Sequence, residues 1–327
     1  MSYFPERKLI EVLKILSEQR EAIGARMVAK QLSERGYKLD ERTVRYHMRI
    51  LDERGLTKNL GYDGRMITSK GLEEIKNALP SDRMGFIITK IGSLIFNMDF
   101  DVKTGKGKVI VNLAVIDKGN LKKVLSIIRR VIKSGFAVCP RIRIFDEGEK
   151  FNQYTVPKGK AILATLCSIT LDGILHKVGV PVTPKLGGVL QFLNGEPKRF
   201  TEAICYTGST LDPLDLFAMK GLSSVLKVVE TGNGHVLANL REIPMNAIHK
   251  ARECLHEANK YEIDGMLKIG EPNEPVFEMP VGTNLSGIAL IGGTNPLAAV
   301  NEKGIAIGTK AIEQLIDFGS LIHIDDI

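Results

Sequence analysis

Apolar residues recur at helical spacing through the first fifty positions and then give way to short alternating runs. Leu9, Val12, Leu13 and Leu16 share one side of a predicted first helix, with Arg7, Glu11, Lys14 and Glu18 opposite and Pro5 suited to its first turn. Ile23-Gly24 breaks this helix. Ala25, Val28, Ala29 and Leu32 form a second, shorter stripe that Gly36 ends in the left-handed conformation glycine accepts. Asp40 is a good N-cap, Glu41 suits the positive end of the dipole, and Val44, Met48 and Leu51 repeat until Gly55 stops a third helix. Leu56 to Thr68 reads as two short strands that reverse at Gly61, Asp63 and Gly64, and Ser69 to Leu79 as a fourth helix ended by Pro80. This order predicts a winged helix-turn-helix over residues 1–80.

A second domain is predicted over residues 85–327. Ile87 to Phe100 and Lys108 to Ile116 read as a hairpin across the turn Lys103 to Gly107. Leu121, Val124, Leu125, Ile128, Val131 and Ile132 make an amphipathic helix ending at Gly135, followed by strands at Phe136 to Phe145 and Ala161 to Ile169. Leu171 to Gly179 is echoed by Ile263 to Gly270, and Pro181-Val182 with Leu186 and Gly188 by Pro280-Val281 with Leu285 and Gly287. The offsets, 92 and 99, imply a seven-residue insertion between two copies. The expected fold is therefore mixed α/β, a winged helix followed by an internally duplicated, two-lobed domain with a ligand cleft between its lobes.

Composition narrows the function. With 327 residues, 44% hydrophobic and 25% charged, the chain buries a full core and is neither fibrous nor disordered. The net charge of +7 is mild, and residues 1–80 hold 16 basic against 12 acidic side chains, so placement matters more than total. On the third helix Arg42, Arg45 and Arg49 project together at i, i+3, i+7, joined by Thr43 and Tyr46. Guanidinium groups grip guanine edges and phosphates, so this face points to double-stranded DNA, with Lys58 and Arg65 of the hairpin over the flanking backbone. The competing reading is a solvated face balanced by Asp52 and Glu53. Either way a single module of this charge binds weakly, and pairing two copies is expected.

Other chemistry is sparse. Cys139, Cys167, Cys205 and Cys254 form no CxxC pair and read as reduced core thiols. Charges interrupt the first turns and glycines interrupt the longest uncharged stretch, Met279 to Asn301, so a soluble cytoplasmic protein without membrane contact is expected. Thr207 to Pro213 and Gly292 to Pro296 each lead from a glycine turn into a helix start, where free amides and the dipole favour an anion; Asp212 and Asp215 already occupy the first, so the second suits an anionic ligand better. His249, Glu253 and His256 share a helix stripe beside an apolar one and read as a solvated face, with no second zinc-protease histidine after His256-Glu257. Gly232 to His235 is a turn, GxSxG does not occur, and Cys167 and Cys205 sit in apolar runs. No enzyme, metal site or cofactor is expected.

Several blocks together resemble a known family. Leu51-Asp52-Glu53-Arg54-Gly55-Leu56, Leu171-Asp172-Gly173-Ile174-Leu175, Gly179-Val180-Pro181-Val182 and Leu186-Gly187-Gly188-Val189 are similar to the archaeal nitrogen-regulation repressors of the NrpR type. So are Gly208 to Pro213, Arg241-Glu242-Ile243-Pro244 and Gly292 to Ala299. The resemblance implies a homodimeric repressor that binds a palindromic operator of nitrogen-assimilation genes and releases it when 2-oxoglutarate, a small anionic metabolite, accumulates. Some members carry two copies of the large domain; this chain resembles the single-copy form, which implies a role for a second NrpR-type chain. No family motif fixes the effector contacts. A dicarboxylate needs cations or amides at both ends, and Lys185, Thr207, Ser209, Arg241, Gly293, Thr294 and Asn295 are the candidates. Two other classes stay open, an enzyme tethered to DNA that acts on a carboxylate or phosphate, and an RNA-binding regulator.

Overall fold

The computed structural model describes residues 4–19, 21–77, 86–151 and 154–327. The chain divides into two units, Met1–Arg83 and Met84–Ile327. In the first, helices α1 (Phe4–Ser17), α2 (Ala25–Glu34) and α3 (Glu41–Glu53) bury Leu9, Val12, Leu13, Leu16, Val28, Leu32, Val44, Met48 and Leu51 against one another. Strands β1 (Thr57–Asn59) and β2 (Arg65–Ile67) pair antiparallel, and α4 (Ser69–Asn77) follows. Leu79 and Pro80, read as the end of that helix, lie outside the described residues. Ile23 bridges to Arg65, so the break after α1 becomes a short third strand beside the hairpin. Gly64 makes this possible: at φ 103° a Cβ there would lie 2.3 Å from the Ile23 carbonyl.

The second unit contains α5 (Phe86–Asn97), β3 (Lys108–Asp117), α6 (Leu121–Lys133), β4 (Arg141–Phe145), the small hairpin β5 (Lys150–Phe151) and β6 (Tyr154–Thr155), and β7 (Lys160–Leu166). Then come α7 (Ile169–Lys177), β8 (Thr183–Leu193), β9 (Glu196–Cys205), α8 (Pro213–Met219), α9 (Val225–Thr231) and β10 (Gly234–Pro244). It closes with α10 (Ile248–Asn259), β11 (Met266–Ile269), β12 (Leu285–Ile291), α11 (Asn295–Glu302), β13 (Gly308–Asp317) and β14 (Ile322–His323). Four expectations are corrected. The first arm of the expected hairpin, Ile87 to Phe100, is mostly helix, because Ile87, Ile91 and Met98 bury a helical rather than an alternating face. The strand expected from Phe136 begins only at Arg141, after Pro140, and the strand expected to reach Ile169 stops at Leu166, where α7 takes over. Cys205 is exposed and not a core thiol, because β9 is an edge strand with one open side.

Two five-stranded antiparallel sheets form this unit, in the orders β13-β3-β7-β4-β14 and β11-β12-β10-β8-β9. The duplication is present, in a register other than the sequence echo suggested. Leu171 to Gly179 lies mainly in helix α7 while its echo, Ile263 to Gly270, ends in strand β11, so that block does not mark the repeat. The repeated series is strand, helix, strand, strand, helix: β3-α6-β4-β7-α7, then β10-α10-β11-β12-α11, with Gly234 standing 126 residues after Lys108. Each series lays three strands of a split β-α-β arrangement. The fourth strand comes from the other series: β8, which follows α7, joins β10, and β13, which follows α11, joins β3. The helices cross over as well, since Leu297 and Val300 of α11 pack with Val124 and Ile128 of α6. Among the described residues no helix is long and apolar enough to cross a membrane.

Candidate nucleic-acid interface and regulatory cavity

Helix α3 is fixed from below and open above. Asp40 caps it, accepting the Thr43 amide at 2.7 Å, and the Thr43 hydroxyl and amide hold the Asp40 carboxyl below the usual carboxylate range. Val44, His47, Met48 and Leu51 face the core. Arg42, Arg45, Tyr46 and Arg49 are therefore exposed along one stripe. Arg42 makes no ion pair among the described residues. Arg45 pairs with Glu41 and Arg49 with Glu53 at 3.5 Å, both one turn away on the helix surface with the arginines about two-thirds exposed. Such pairs contribute little and exchange readily for phosphate. The Arg49 guanidinium also lies 5.6 Å from the Tyr46 ring centroid.

A groove of about 680 Å³ runs beside this face, lined by Arg26, Glu41, Arg45, Tyr46, Arg49 and Tyr62 among others. Lys58 is exposed on β1. Arg65 lines the same groove, but its Nε donates to Asp52 at 2.7 Å, Asp52 also accepts the Thr57 hydroxyl, and the Arg65 side chain is only 16% exposed. It ties hairpin to helix at the floor of that groove. Thr43 likewise serves the cap. The sequence reading missed Arg26, at the start of α2, and Tyr62, fully exposed between the strands. Arg26 carried a signal, an arginine two residues after the glycine that opens a helix.

In the second unit the starts of α7 and α11 abut. A Cβ on Gly293 would lie 2.6 Å from the Leu166 carbonyl oxygen and 3.0 Å from the Ser168 nitrogen. Ser168 and Thr294, the N-cap positions of the two helices, line one small cavity with Asn112, Cys167, Tyr206, Asp212, Leu214 and Gly293. Its volume is about 10 Å³, the space of one water. A buried relay surrounds it. The Tyr206 hydroxyl donates to Asn239 at 2.7 Å, Asn239 donates to Ser168 at 3.0 Å, and Arg241 donates to Ser168 at 3.2 Å and to Asp172 at 2.6 Å. Arg241 and Asp172 are 1% and 0% exposed, so burial pushes the Asp172 carboxyl up while the guanidinium pulls it back. Among the described residues the Arg241 Nη1, Asp172 Oδ2, Thr294 Oγ1 and Asn112 Nδ2 atoms have no partner. Desolvated and unpaired, each is costly. Asp212, also enclosed, is pushed up to about 7, by burial first and then by Asp215.

Comparison with known proteins bears on both units. The family model described as NrpR regulatory domains NRD1 and 2 matches residues 84–323, about three quarters of the chain. The chain belongs to the NrpR family. A model described as the Ribonuclease R winged-helix domain matches residues 10–75. The global nitrogen regulator NrpRI of Methanosarcina mazei is 41% identical over 98% of both chains. The global nitrogen regulator NrpR of Methanococcus maripaludis is 35% identical over 95% of this chain and 54% of its own, so this chain spans about half of that relative. A crystal structure of a nitrogen repressor-like protein from Methanococcus jannaschii matches with a TM-score of 0.62 at 30% identity, over 72% of this chain and 97% of that one.

The NrpR regulatory unit gathers only part of the expected effector set. Gly293 and Thr294 line the cavity and Arg241 stands behind Ser168. Asn295 is enclosed but used up, clipping the Leu237 amide and the Leu237 and Gly292 carbonyls. Lys185 binds Glu242 and the Pro280 carbonyl. Ser209 bonds to the Leu211 carbonyl, and Thr207 lines a different groove. The sequence reading missed Ser168, Asn112, Asn239 and Tyr206. His249 stands 88% exposed beside Glu253. Among the described residues no cluster of three or more His, Cys, Asp or Glu has the geometry to hold a metal.

Proposed function

We propose that this chain represses transcription of nitrogen-assimilation genes by binding a palindromic operator as a pair of copies, and that 2-oxoglutarate, bound in the regulatory unit, releases it. The observation that carries the DNA half is the outward stripe of Arg42, Arg45 and Arg49 on a helix whose opposite side is core. Two such faces about one helical turn of DNA apart read two half-sites, and doubling the contacts overcomes the modest charge of each. Gel-shift titration on DNA from upstream of a nitrogen-assimilation gene tests this. Arg45→Ala is expected to cost roughly 1–3 kcal/mol of binding, and unchanged affinity in all three single alanine variants would overturn the assignment. Preferential binding of structured RNA at matched salt would instead favour an RNA regulator.

The effector half rests on the cavity. Two helix starts, the Thr294 hydroxyl and the Arg241 guanidinium suit carboxylates, one near each helix start. A five-carbon dicarboxylate exceeds the cavity volume. Binding must therefore move the segment carrying Asp212 and Leu214, and the ligand selects an arrangement other than the closed one. A preference of about 1–3 kcal/mol weakens operator binding several-fold to about a hundredfold. Calorimetry of the full chain with 2-oxoglutarate is expected to show saturable binding that Arg241→Met and Thr294→Val abolish. Saturable binding untouched by either change would move the site elsewhere.

A further inference from the structure

Helix α5 carries an apolar stripe that the described residues of the regulatory unit leave partly open. Ile88 and Ile95 are half-buried, Gly92 is exposed, and Phe96 is 86% exposed. These positions fall at i, i+4, i+7 and i+8, on one face. Gly92 sits mid-helix, where glycine costs about 1 kcal/mol relative to alanine. A Cβ there would meet nothing within 4 Å, and its φ is not positive, so neither space nor backbone within the chain calls for glycine. The bare backbone leaves room for close approach by another helix.

The stripe forms one wall of a groove of about 580 Å³, whose other wall includes Val182 and Pro184, with His176 and Lys177 at its margin. Phe96 stands at the edge of the groove without being buried in it. The surface thus presents both a large aromatic knob and an apolar hole. Charge follows the same division: Lys177 is exposed with no ion pair among the described residues, and Asp99, exposed, lies three residues after Phe96.

We propose that two copies of the chain pair through α5, the helices crossing at Gly92 on a twofold axis with each Phe96 seated in the other copy's groove. Such an isologous contact satisfies knob and hole twice with one surface. It also brings Asp99 of each copy toward Lys177 of the other, and sets a cation beside each Phe96 ring. The inference rests on the reading of a paired operator reader and names the surface that makes the pair.

Sedimentation velocity of the full chain tests it. The unaltered protein is expected to be dimeric, and Phe96→Asp to raise the dissociation constant at least about thirtyfold with unchanged thermal unfolding, since Phe96 is exposed. Lys177→Asp is expected to weaken pairing and the double change Asp99→Lys with Lys177→Asp to restore it. Gly92→Cys in a Cys205→Ser background is expected to cross-link under mild oxidation. A dimer unaffected by Phe96→Asp, with no cross-link at position 92, would discard this surface while leaving paired reading intact. A protein that stays monomeric at every concentration would discard both. Pairing that Phe96→Asp weakens but the charge exchange does not restore would reject the Asp99 to Lys177 contact.

Discussion

Asp212 is held by two opposing demands. Its carboxylate accepts the Leu214 and Asp215 amides at 2.9 and 3.1 Å, which favours charge, while burial and Asp215 push its pKa up to about 7. In the unfolded chain it titrates near 3.8. Between these values the native state binds a proton that the unfolded state has lost, so stability is full below about pH 4 and falls until about pH 7. Asp212→Asn keeps the cap and removes this dependence. Melting temperatures measured from pH 4 to 8 should show the variant gaining on the unaltered protein as pH rises, by several degrees at the top of the range. A constant difference would mean that Asp212 does not titrate there. What the sequence conveyed at this scale follows from range. The exposure of Arg42, Arg45 and Arg49 depends only on the 3.6-residue period. The capture of Arg65 by Asp52 and of Arg241 by Asp172 depends on partners 13 and 69 positions away, on other elements, where no local pattern reaches.

Among the elements, α5 was the hardest to recognise. Its isoleucines are β-branched and suit strands by propensity, yet packing of Ile87 and Ile91 beneath a helix overrides that preference. The winged unit was largely legible because capping residues and glycine stops mark nearly every boundary. The contact between the starts of α7 and α11 was not, because it joins segments 126 residues apart through a bare glycine. Gly293→Ala tests how tight it is. The added methyl meets backbone on Leu166, Cys167 and Ser168, none of which is the free end of a side chain. The regulatory unit is expected to lose roughly 1–3 kcal/mol, seen as a lower melting transition while that of the winged unit stays put. An unchanged transition would show that the two starts separate freely.

The whole molecule combines a winged unit with a larger unit whose halves trade parts. The duplication was visible, but glycine and proline turns are frequent enough to align falsely, which is how offsets of 92 and 99 arose. The informative echo is Val109-Ile110-Val111-Asn112-Leu113 against Val236-Leu237-Ala238-Asn239-Leu240, whose asparagines are both fully buried on equivalent strands. Exchange of β8 and β13 leaves neither half with a finished sheet of its own. Denaturation followed by circular dichroism should therefore show one transition for the winged unit and one for the whole regulatory unit. Removing residues 308–327 is expected to abolish the second entirely; a surviving partial transition would mean the halves stand alone.

The same exchange sets a timetable for synthesis. The first sheet of the regulatory unit needs β13, which leaves the ribosome about two hundred residues after β3. Until then Val109, Val111 and Leu113 wait with an unpaired edge. The winged unit, built from local contacts, completes itself long before, so a nascent chain presents a finished Arg42, Arg45 and Arg49 face before the first sheet of its regulatory unit can close.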